Sequence, residues 1–70
     1  MTYTLTTQEK TDIINQHLRN LELAIYNLEL SVLEEESKST PEAAILASYN
    51  SDLSDLNAKK TALLDELASL

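Results

Sequence analysis

Apolar residues recur through the first half of the chain at Ile14, Leu18, Leu21, Ile25, Leu28 and Val32, at alternating spacings of four and three. Residues three and four apart share one face of a helix, so this series reads as the seam of a packed helix. A second series follows at Leu46, Tyr49, Leu53, Leu56, Leu63, Leu67 and Leu70. It keeps the same spacing and is interrupted once, where Lys60 fills a seam slot. A strict seven-residue repeat in both predicts two helices that supercoil left-handedly about each other.

Local signals set the expected boundaries. Thr6-Thr7-Gln8-Glu9 has the form of a capping box, in which the threonine hydroxyl and the glutamate carboxylate satisfy each other's backbone N–H groups. Glu9 and Asp12 also place negative charge in the first turn, where the helix dipole favours it. Nothing breaks a helix from there to Lys38, which predicts helix 1 over 6–38. Pro41 pushes Thr40 out of helical space and so enforces a stop upstream. Thr40 as N-cap and Pro41 at the first helical position then predict a turn over 39–40 and helix 2 over 41–70.

So short a turn makes the helices antiparallel: an all-α helical hairpin forming one domain. A bend centred near Ser39 sets Val32 beside Leu46, Ile25 beside Leu53, Leu21 beside Leu56 and Leu18 beside Lys60. Residues 1–5 alternate apolar and polar, with Met1, Tyr3 and Leu5 on one side, and read as a tail or as an arm against a partner.

Helix 1 carries a second apolar stripe. Leu23, Tyr26, Leu30 and Leu33 recur at three, four and three, roughly opposite the seam. A helix in an isolated hairpin is polar there. Doublets at Ile13-Ile14, Val32-Leu33, Ile45-Leu46 and Leu63-Leu64 widen the seam beyond that of a two-stranded coil, and wide stripes suit bundles of four or more helices. These features predict association: a homodimer forming a four-helix bundle, with Leu23, Tyr26, Leu30 and Leu33 as the oligomer or partner interface. A helix of another protein is the alternative occupant.

Composition narrows the chemistry. The 70 residues include no glycine, cysteine, phenylalanine or tryptophan. Without glycine, β-hairpins and phosphate-cradling loops are disfavoured, and without cysteine there are no disulfides or thiolate metal sites. The net charge of −7 and the scattering of Lys10, Arg19, Lys38, Lys59 and Lys60 argue against generic nucleic-acid binding. No apolar run approaches the ~20 residues of a membrane span, and the first residues lack signal-peptide character, so a cytoplasmic protein without membrane contact is expected.

Few residues suggest a reactive site. His17 is the sole histidine and cannot hold a metal without ligands from elsewhere, so it reads as a partly exposed structural residue. Lys60 is a candidate register device, with a stem long enough to snorkel to the helix edge. Glu34, Glu35 and Glu36 lie where a helix C-terminus disfavours negative charge; they read as a solvated end partly compensated by Lys38, with a basic partner or a cation as the alternative. Asp52 and Asp55 lack the glycine turn and terminal glutamate of a calcium loop and read as a solvent face. No catalytic residues, cofactor or metal site are expected, and the protein reads as a non-enzyme.

Gln8-Glu9-Lys10-Thr11, opening the first helix of a short hairpin, resembles the start of the Rop family of small plasmid copy-number regulators. That resemblance implies a dimeric four-helix bundle that binds paired RNA loops through polar and aromatic residues of its first helices. The aligned positions here are Thr7, Ile14, Leu18, Glu22 and Glu29; none keeps the family's residue and two are acidic. A self-associating scaffold, adaptor or inhibitor is therefore the leading expectation, with Rop-like RNA regulation as the alternative. Small size and the lack of catalytic machinery fit a bacteriophage or bacterial accessory protein.

Overall fold

The computed structural model describes residues 4–70, and among them the chain is all-helical. Two helices, α1 (Thr7–Glu36) and α2 (Ala43–Ala68), pack against each other as a hairpin. The part of the N-terminal arm formed by residues 1–3 lies outside the described residues.

Helix α1 begins on the capping box that its sequence encodes. The Glu9 N–H donates to Thr6 Oγ1 (3.1 Å), and the Thr6 N–H donates to Glu9 Oε1 (2.9 Å). Two of the four amides that a helix start leaves unpaired are thereby satisfied. Thr6 favours the ionised carboxylate: its backbone N–H, then its hydroxyl, hold the Glu9 pKa below its usual value.

The start of α2 departs from expectation. Its N-cap is Glu42, extended at φ −89° and ψ 115°, and its side chain makes no capping bond. Thr40 and Pro41 lie in the connection, which runs from residue 37 to 42 rather than over 39–40. The reason is tertiary: the Glu42 N–H donates to Glu35 Oε2 across the turn (3.0 Å), fixing Glu42 as the last non-helical residue. The first backbone bond of α2 then runs from the Leu46 N–H to the Glu42 carbonyl (3.1 Å).

Leu21 shares a groove with Lys59, Ala62 and Leu63, and Leu28 shares one with Leu56.

Burial is shallow. Ile14 (9% exposed) and Leu18 (7%) are the buried apolar residues among those described. Leu21, Ile25, Leu28 and Val32 are half-buried, as are Leu46, Tyr49, Leu53, Leu56, Leu63 and Leu67. Lys60 is half-buried and Leu70 exposed. The molecule measures 55 × 24 × 15 Å, with a radius of gyration of 16.6 Å. A compact domain of this length has a radius near 11 Å. A two-helix layer is one side chain thick, so most seam residues keep one edge open to water.

Candidate functional site

The turn is held by Glu35. After Val32, the four-three spacing of the α1 seam reaches residue 35, so this carboxylate occupies a seam slot. It is buried, at 6% exposed. One oxygen accepts the Glu42 N–H, and the other meets Lys38 Nζ at 2.9 Å. The Glu42 N–H, then the Lys38 ammonium, hold its pKa below the usual carboxylate value, and the pairing raises that of Lys38. Glu35 is therefore not part of a solvated helix end; it clamps the two helices together. Glu34 and Glu36 are exposed.

The first exposed apolar surface is grooved and formed by both helices. At the open end, Leu5, Lys10, Ile13, Ile14, Glu66 and Leu70 line one groove. Next along, His17, Asn20, Leu21, Lys59, Ala62 and Leu63 line another, open and about 440 Å³ in volume. A third lies among Leu28, Asp52, Asp55, Leu56 and Lys59. Lys10 and His17 are seven residues apart, as are Asp52, Lys59 and Glu66, so the grooves open on one side of the hairpin. Charge on this face is mixed: Lys10 and Lys59 stand among Asp52, Asp55 and Glu66. Of the large apolar residues here, Ile13 is 43% exposed and Leu70 40%.

The second exposed apolar surface belongs to α1 alone. Leu23, Tyr26, Leu30 and Leu33 are all exposed, Tyr26 and Leu33 by more than 60%. Glu22, Glu29 and Glu36 repeat at seven residues along one edge of this stripe, and Asn27 and Glu34 stand along the other. All of these are exposed. Arg19 is the basic residue in line with the stripe, and it lies 3.9 Å from Glu22 with both side chains open to water.

The remaining candidates stay apart. Exposed His17 faces a groove whose other titratable neighbour is Lys59. Among the described residues, no three His, Asp or Glu side chains come together as a metal ion requires. No helix among the described residues is long and apolar enough to cross a membrane.

The sequence reading missed two features. Counting the α1 seam one step past Val32 reaches Glu35 and would have found the clamp. The grooved face was hinted at by the Ile13-Ile14 doublet, but its extent depends on how the two helices align. No protein-family model matches the chain, and no curated protein or solved structure matches it either.

Proposed function

We propose that this protein is a non-enzymatic interaction module that self-associates, two hairpins pooling four helices into a bundle. The observation that carries this is incomplete burial. The chain exposes 5356 Å², whereas a folded monomer of 7.8 kDa exposes about 4,400 Å². The excess, roughly 1,000 Å², compares with the ~800 Å² per partner that a standard interface removes.

The grooved face is the better surface for a second copy. Both helices contribute to it, as a compact bundle needs, and its grooves accept side chains of a facing helix. Its mixed charge also lets the face meet itself about a two-fold axis with lysines turned toward carboxylates. The area, the grooves and the charge pattern support the reading together.

Sedimentation equilibrium of the purified chain over a wide concentration range tests it. A dimer or larger mass that falls to the monomer in Ile13→Glu is the expected outcome. A folded monomer at every concentration overturns it.

A further inference from the structure

We propose that the outer face of α1 docks a basic amphipathic helix of a second protein. This surface is separate from the grooved face, and the inference stands whether or not the chain self-associates. Leu23, Tyr26, Leu30 and Leu33 span about 15 Å of helix, the length over which apolar residues at i, i+3, i+7 and i+10 of a partner helix make contact. Their exposure leaves a contiguous patch of the kind that monomers seldom leave uncovered.

Charge selects the occupant. Glu22, Glu29 and Glu36 follow one edge of the stripe and Glu34 stands on the other, all exposed. The basic residue in line with them, Arg19, is already within 3.9 Å of Glu22. A second copy of this chain fits poorly. Packed antiparallel with the stripe covered, the two copies bring their Glu29 edges together. Packed parallel, Arg19 meets Arg19 and Glu29 meets Glu34. An anionic membrane or a nucleic acid meets the same repulsion. A helix with an apolar stripe flanked by lysine or arginine satisfies both the patch and its borders, as complementary edge charges do in coiled coils.

The test uses the full chain and two synthetic 21-residue peptides. Both carry leucine at heptad spacing; one has lysine at the flanking positions and its twin has glutamate there. Binding is followed by fluorescence anisotropy, with helix content checked by circular dichroism and mass by sedimentation. The lysine peptide binds and the glutamate twin does not. Leu30→Glu weakens the lysine peptide by on the order of tenfold, although it adds a negative charge that would strengthen non-specific attraction. The double variant Glu22→Lys/Glu29→Lys, altered only at exposed positions, weakens it by a similar factor and admits the glutamate twin. Equal affinity for both peptides overturns the proposal, as does unchanged binding in Leu30→Glu. So does dissociation of a dimer by Leu30→Glu, which would give the stripe to a second copy. A monomeric wild type that still discriminates between the peptides removes the self-association reading and leaves this one standing.

Discussion

Ile13 and Leu30 are exposed to a similar degree, 43% and 38%, yet they sit in opposite electrostatic settings. Ile13 belongs to a face built by both helices, where Lys10 and Lys59 stand among Asp52, Asp55 and Glu66. Leu30 belongs to a face of one helix, bordered by Glu22, Glu29, Glu34 and Glu36. Exposure alone would rank these two residues as equivalent. The surrounding charge separates them, because apolar burial supplies affinity without choosing a partner, whereas edge charges penalise the wrong one. The outer face of α2 makes the same point from the other direction. Ala44, Ala47, Ser51, Ser54, Ala58 and Thr61 are small and exposed, so that side offers little area to bury.

The largest expected effect falls on both surfaces together. Leu18→Ala removes a buried seam residue from the scaffold they share and lowers stability by about 2–5 kcal/mol, read as a fall in Tm by circular dichroism. Self-association and peptide binding then decline in parallel.

The clamp separates the two faces. Glu35→Gln removes the ion pair to Lys38 and weakens the acceptor for the Glu42 N–H, loosening the angle between the helices. The grooved face depends on that angle and the one-helix stripe does not. Lowered Tm and weakened self-association with peptide binding retained is the expected pattern. The pH dependence has a definite sign. The folded-state pKa of Glu35 lies below its unfolded value of ~4.3, so its stabilisation is present above that pH and is lost as pH falls through the folded pKa. The raised Lys38 pKa works in reverse: its contribution holds below ~10.4 and is lost as pH rises through the raised value. Unfolding midpoints measured from acid to alkali in wild type and Glu35→Gln check both, the variant having lost the share of the acid sensitivity that Glu35 contributes while that of Glu9 remains.

Thr6→Ala has a smaller, local effect. It removes the N-cap hydroxyl of α1 and costs about 1 kcal/mol, measured by chemical denaturation, with both surfaces otherwise unchanged. Ala58→Glu on the outer face of α2 has the smallest effect, within ~0.5 kcal/mol and without change in mass or peptide affinity. A clear loss of either binding activity there would mean that a partner also contacts the outer face of α2, and the contrast between the faces would need redrawing.

Features that depend on neighbours in the chain were legible in the sequence. The capping box at Thr6 and Glu9 closes within four residues, so its chemistry is complete in the tetrapeptide. The helical hairpin follows from apolar spacing together with Pro41, because periodicity decides which side of each helix seeks cover and proline breaks the path between them.

Features that depend on distant residues were decided by the tertiary structure. Thr40-Pro41-Glu42 has the local chemistry of a helix start at Thr40, yet the Glu35 carboxylate reaches across the turn and fixes Glu42 as the cap. That bond also turns an apparently solvated glutamate into a buried one, since a carboxylate is tolerated away from water once a backbone N–H and an ammonium compensate it. The grooved face has the same origin. Periodicity along one helix says which residues share a side, but which of them stand across from Lys59 or Leu70 depends on how far α2 slides along α1. A six-residue connection and one buried carboxylate set that alignment, through contacts between positions that no local pattern relates.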